Sequence, residues 1–143
     1  SGYIESSKIL MFNDTNNKAE AIGKVKLILA NKTKIYADNI KADFTGKAKT
    51  LQKAIAKGNV IIENNDQGKK SKADLGIYNS SNETIELRGN VVIINQSSTI
   101  IGSQGITNIK TGTSKITGNP SKRERVKGMF SPTKKSKKGD KSE

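Results

Sequence analysis

With 143 residues the chain is sized for one domain, and 32% apolar with only 4% aromatic content excludes a large aromatic core. It has no Cys, His or Trp, which removes Cys–His dyads, the Ser-His-Asp triad and thiolate or imidazole zinc sites from consideration. The net charge of +13 points to anionic partners: nucleic acid, anionic lipid or a phosphorylated glycan.

The chain opens Ser1-Gly2 with neither Met nor a hydrophobic leader, so a processed or engineered start is expected, with any secretory signal already removed. No run of 18 apolar residues occurs, so no transmembrane helix is expected. Asn13 to Asn17 is turn chemistry. After it, Ala19, Ala21, Gly23, Val25, Leu27 and Leu29 fall on one face of a strand, with Lys18, Glu20, Ile22, Lys24, Lys26 and Ile28 on the other. Asn31 to Lys34 makes the next turn. In the following strand Ile40, Ala42 and Phe44 share a face opposite Lys41 and Asp43. Residues 45–53 read as a looser connection, 54–63 as a strand, 64–68 as a turn, 73–78 as a strand and 79–82 as a turn.

The clearest strand follows: Ile85, Leu87, Gly89, Val91 and Ile93 on one face, and Glu86, Arg88, Asn90, Val92 and Ile94 on the other. Residues 99–102 and 105–109 are strand-like, 110–113 form a tight turn and 114–118 close the pattern. Pro120 marks the expected end of regular structure, because proline cannot donate to a central ladder. The domain is therefore read as 1–120. The tail, 121–143, is polar and basic, and disorder is expected after Phe130. Residues 122–143 carry nine Lys or Arg against three acidic residues.

One phrase recurs. Gly23-Lys24-Val25, Gly58-Asn59-Val60, Gly89-Asn90-Val91 and Gly118-Asn119-Pro120 are spaced by 35, 31 and 29 residues. A period of roughly 30 residues indicates stacked supersecondary units. Glycine inside a strand weakens it and marks a bulge or bend. A bend in every unit folds successive strands into a V. The expected fold is all-β: a twisted, open trough of many short antiparallel strands, lined by Ile, Leu and Val, with unpaired edges at both ends. Such edges are either capped or used for head-to-tail pairing, which gives an open filament when the rotation does not close.

The ordered set Ala-Glu-Ala-Ile-Gly-Lys-Val (19–25), Tyr-Ala-Asp-Asn-Ile (36–40), Ala-Lys-Gly-Asn-Val (56–60), Tyr-Asn-Ser-Ser-Asn-Glu-Thr-Ile-Glu-Leu-Arg-Gly-Asn-Val (78–91) and Gly-Thr-Ser-Lys-Ile (112–116) resembles the OstA-like family, in particular its LptA-type periplasmic lipopolysaccharide transport proteins. The resemblance covers about residues 5–119, and Arg125 to Pro132 resembles the family's C-terminal signature. The chain departs from the pattern at Lys24, where Asn is usual. The resemblance implies a periplasmic protein with an incompletely closed β-jellyroll. It also implies head-to-tail bridging between OstA-like domains of inner- and outer-membrane components, and lipopolysaccharide held by its lipid A acyl chains inside the trough.

On that reading the trough is lined by Val25, Leu27, Ile40, Phe44, Val60, Ile62, Leu75, Ile77, Ile85, Leu87, Val91, Ile93, Ile106 and Ile116, and the rim cations are Lys24, Lys26, Lys32, Lys34 and Lys41. Burial contributes about 0.8 kcal/mol per CH₂, so a chain of ~12 carbons gains up to roughly 9 kcal/mol. A lysine near an anionic lipid surface contributes about 1 kcal/mol. The trough thus sets affinity, and the lysines set orientation and on-rate. A related reading keeps the fold in a membrane-anchored sibling.

Two readings of other classes stay open: a basic β-module for nucleic acid, and a structural β-solenoid. Against the first, Phe12, Tyr36, Phe44 and Tyr78 occur singly, without an aromatic–basic cluster, so nucleic acid is not expected as a partner. Glu63, Asp66, Asp74, Glu83 and Glu86 have no spacing that pairs two carboxylates for glycoside chemistry. No catalytic residue, metal or cofactor is expected, and the chain reads as a non-enzyme.

Overall fold

A computed structural model of the chain describes residues 3–13, 15–47, 49–96 and 98–117, and the backbone of 127–130. The strands are β1 (Tyr3–Glu5), β2 (Ile9–Asn13), β3 (Lys18–Ile28), β4 (Lys34–Thr45), β5 (Thr50–Asn64), β6 (Lys69–Asn79), β7 (Thr84–Ile94), β8 (Ser98–Asn108), β9 (Ser114–Thr117) and β10 (Lys127–Phe130). Strands β3 to β8 form an antiparallel meander, each paired with the next. Both ends split: β1 and β2 pair with β3, while β9 and β10 pair with β8. Among the described residues the two ends do not pair with each other, so the sheet is not closed into a barrel.

The bends lie at the recurring phrase. Gly23, Gly58 and Gly89 have φ of +87°, +82° and +80°, and the residues after them, Lys24, Asn59 and Asn90, have φ of 44°, 50° and 50°. Two consecutive left-handed residues cannot sit in a regular ladder. Opposite each pair the next strand offers one unpaired residue, Asp38, Asp74 or Ser103, and pairing resumes after a register shift. This two-against-one count is a β-bulge, which kinks the strand and sharpens its twist. Glycine is needed for space as well as conformation. A Cβ at Gly58 would lie 2.6 Å from Asp38 Oδ2, and one at Gly89 would lie 2.6 Å from Asp74 Oδ2. Asn59 and Asn90 donate their side-chain amides to those same carboxylates, each at 2.9 Å. At the first bend a Cβ on Gly23 would instead meet the Lys8 side chain, and Ser7 donates its N–H and its hydroxyl to the Gly23 carbonyl, both at 2.8 Å.

Each bend divides the meander into two arms. The first arm contains 18–22, 39–45, 50–57, 75–79, 84–88 and 104–108, with β2 and β9 at its edges. The second contains 25–28, 34–37, 60–64, 69–73, 91–94 and 98–102, with β1 and β10 at its edges. The arms face each other. A Cβ on Gly76 of the first arm would meet Val60 of the second at 3.2 Å. Leu27 and Leu29 of the second arm share a cavity with Phe44, Leu51 and Tyr78 of the first. Inner-face rows alternate in size. Ala21, Ile40, Ala56, Gly76, Leu87, Gly105 and Ile116 are successive cross-strand partners, so bulk from one layer meets small residues of the other.

The bulges also set parity. Strands β3, β5 and β7 carry the two-residue side and keep one alternation throughout, as at Ile85, Leu87, Val91 and Ile93, all buried. Strands β4, β6 and β8 carry the one-residue side and change parity across the bend. In β6 the inward residues are therefore Ser71 and Ala73, then Gly76 and Tyr78. In β8 they are Ile100 and Gly102, then Gly105 and Thr107. Leu75, Ile77 and Ile106, expected inside from unbroken alternation, consequently point outward. Regular structure also continues past Pro120, since Lys127–Phe130 pairs with residues 98–101 of β8. The fourth phrase, 118–120, and the expected disordered end, 131–143, lie outside the described residues.

A Gly89→Ala substitution puts a methyl into the left-handed region and against Asp74. We expect a loss of about 2 kcal/mol in urea unfolding. Gly46→Ala, with φ of +69° but nothing within 4 Å of the added Cβ, is expected to lose less, about 1 kcal/mol.

Candidate functional site

The space between the arms is apolar, and most of it is filled. Of the residues expected to line it, Val25, Leu27, Ile40, Val60, Ile62, Ile85, Leu87, Val91, Ile93 and Ile116 are buried on the inner face. Phe44 is half-buried and packs on the same cluster. Ile40 and Leu87 are 0% exposed. Packing is close at the C-terminal end: a Cβ on Gly102 would collide with Ile116 Cγ2, and one on Gly105 would lie 3.4 Å from Val91 Cγ1.

The interior opens at the other end. A cavity of about 380 Å³ is lined by Tyr3, Ile4, Leu27, Leu29, Phe44, Leu51 and Tyr78, with Lys49 at its edge. Strand β3 brings Leu27 to it from the second arm, and Leu29 follows just after the strand's end. The ends of β4, β5 and β6 bring Phe44, Leu51 and Tyr78 from the first. Phe12 of the edge strand packs edge-on against Phe44, with centroids 5.8 Å apart. Lys49 Nζ lies 5.2 Å above the Phe12 ring and hydrogen-bonds Asn17 Oδ1. Burial, and after it the Glu83 carboxylate, push the Tyr78 phenol above the ordinary tyrosine range, so it stays neutral. A larger hollow, about 730 Å³, lies at the first arm beside Met11 and Phe12, but Lys18, Glu20, Lys41, Asp43 and Lys53 line it, and Lys18 bridges to Asp43 at 2.8 Å. It is a charged surface groove, less suited to apolar ligand than the smaller cavity.

The five expected rim cations do not gather at one mouth, although Lys32 and Lys34 line one small hollow with Glu63 and Asp66. Lys24 sits at the first bend, Lys32 in the turn after β3, Lys26 and Lys34 on the outer face of the second arm, and Lys41 on the outer face of the first. Lys26 lies 5.9 Å over the Tyr36 ring. A lysine that does stand at the mouth is Lys49, in a segment read from sequence as a loose connection. Leu51 was missed with it. Leu29 carried a signal, since it continues the alternation of Val25 and Leu27, and Tyr78 became recognisable only once the parity of β6 was known.

A family model described as LptA/(LptD N-terminal domain) LPS transport protein matches residues 3–113. The chain belongs to this LPS transport family. Among solved structures it is similar to LptH of Pseudomonas aeruginosa, described as the LptA homologous periplasmic component of the conserved lipopolysaccharide transport device. That match has a TM-score of 0.78 at 12% identity and covers 92% of this chain and 96% of the other. At that identity the likeness speaks for the fold, the open jellyroll expected of an LptA-type protein. No curated protein sequence matches.

The inner and outer faces of this LptA-type sheet are separable by mutation. Leu87→Ala is expected to lose about 2–5 kcal/mol in urea unfolding. Ile77→Ala, outward and half-exposed, is expected to lose about 1 kcal/mol or less.

Proposed function

We propose that the chain is a periplasmic carrier that holds lipopolysaccharide by its acyl chains between the two arms and passes it along a bridge of like domains. The observation that carries this reading is the apolar interior shared by the arms, open at the cavity lined by Leu27, Leu29, Phe44, Leu51 and Tyr78, in a member of an LPS transport family. Acyl chains need such an enclosure, and burial of about 0.8 kcal/mol per CH₂ gives it more influence on affinity than any surface lysine. Location follows from the same reading: lipopolysaccharide on its way to the outer membrane crosses the periplasm.

The edges support the bridge. Strand β2 exposes four consecutive apolar residues, Ile9, Leu10, Met11 and Phe12, on both of its faces. Among the described residues it pairs with β3 along one side only. A soluble protein normally charges or caps such an edge. Pairing with the opposite end of a second copy, or with an LptA-like domain of a membrane component, covers it and continues the sheet. That contact is heterologous, so it propagates as an open chain.

The test is a light-scattering concentration series, with gel filtration against fluorescent lipopolysaccharide. The expected result is a mass that grows with concentration, abolished by Ile9→Lys with Met11→Lys, and lipid that co-elutes with both proteins. A strict monomer that carries no lipid at any concentration overturns the reading.

A further inference from the structure

At one place the arms are joined by polar groups. Asn31, in the turn after β3, donates from Nδ2 to the Ile109 carbonyl at 3.1 Å. Gln67 Nε2 reaches the same carbonyl at 3.4 Å. Its amide lies against Gly112, where a Cβ would be 3.2 Å from Gln67 Cδ. Two residues on, Lys69 Nζ donates to Ser114 Oγ at 2.9 Å, and Ser114 meets Thr107 Oγ1 at 3.0 Å. Asn31, Gln67 and Lys69 belong to the second arm; Thr107, Ile109 and Ser114 belong to the first. Burial lowers the Lys69 ammonium below the ordinary lysine range.

These contacts differ in kind from the rest of the layer contact. Gly76 against Val60 and Gly105 against Val91 are apolar, and separating them exposes apolar surface to water. The polar contacts lie at the arm tips, where water can replace each partner, so their net strength is modest. They are also where a large ligand needs room. A cavity of 380 Å³ is near the lower limit for a drug-sized molecule. A lipid with several chains and a bulky headgroup is larger than that cavity, so the arms have to part to hold it.

We propose that Asn31, Gln67 and Lys69, holding Ile109 and Ser114, form a clasp that keeps the arms shut and opens to admit a multi-chain lipid sideways. The proposal rests on the reading that acyl chains lie between the arms. The glycine bends at the opposite side of the sheet are where the arms would pivot.

The absence of native cysteine permits a direct test on the full chain. Lys69→Cys with Ser114→Cys is joined, after folding, by a cleavable bis-maleimide. The probes are fluorescent lipid A and a single-chain fluorescent fatty acid. Linked protein is expected to take up lipid A at least tenfold more slowly than the same protein after cleavage, while both forms take up the fatty acid through the open cavity. In parallel, Asn31→Ala with Gln67→Ala is expected to speed lipid A uptake about tenfold. Equal lipid A uptake by linked and cleaved protein, or an unchanged rate in the alanine variant, overturns the clasp and leaves the trough intact. Failure of cleaved protein to take up either probe overturns the trough reading, and the clasp with it.

Discussion

Two left-handed residues in succession, three times over, are the constraint on which the rest of this structure depends. A β-strand does not accept them, so the ladder skips and the strand turns. Because the skip recurs at Gly23-Lys24, Gly58-Asn59 and Gly89-Asn90 in alternate strands of one meander, the bends line up and the whole sheet folds along a single crease. The crease turns one apolar face toward itself. Neither arm has a sheet partner of its own, so each buries its apolar side chains against the other. Asp38 and Asp74 stabilise the crease by receiving the following strand's asparagine, in space that only glycine leaves open.

The crease also explains what could be read from the sequence and what could not. The phrase itself was legible, and so were the strands that carry it: Ala19 to Leu29 and Ile85 to Ile93 show their true faces by simple alternation, because the two-residue side of each bulge preserves parity. Strands on the other side of each bulge lose that regularity. In β6 the strong apolar residues Leu75 and Ile77 look like core and face out, while Ser71, Ala73 and Gly76 face in. Side-chain size misled in the same direction, since the inner rows need small residues opposite large ones. Ile106 is displaced for the same reason as Ile77, being placed outward once Ser103 has been skipped. The rim was illegible for a different cause. Lys24, Lys26, Lys34 and Lys41 are close in sequence, but alternation and the crease send them to three separate surfaces, whereas Lys49 reaches the mouth from a turn with no pattern of its own. Strand β10 was hidden because a short strand after Pro120, in a basic stretch, has too little periodicity to stand out.

An interior this well filled is compatible with carrying lipid only if it can exchange side-chain contacts for acyl contacts. The chemistry on both sides of that exchange is alike: Ile, Leu and Val methyls against one another, or against methylenes. The free-energy difference is therefore small compared with the total burial, which is what a carrier needs, since it has to release what it binds. The edges have the opposite requirement. Strand β2 exposes apolar side chains on both faces, and on the proposed bridge reading docking there would add to lipid binding and would keep the interiors of a row of such domains in line.

On the proposed function, lipid goes between the arms rather than onto the outside of the sheet. Methyl-resolved NMR during titration with lipopolysaccharide measures this directly. The methyl signals of Leu27, Leu29 and Leu51 are expected to shift or broaden first, while those of Ile55, Ile77 and Ile106 on the outer face of the first arm stay in place. Movement of the outer isoleucines with the three leucines unchanged would contradict it.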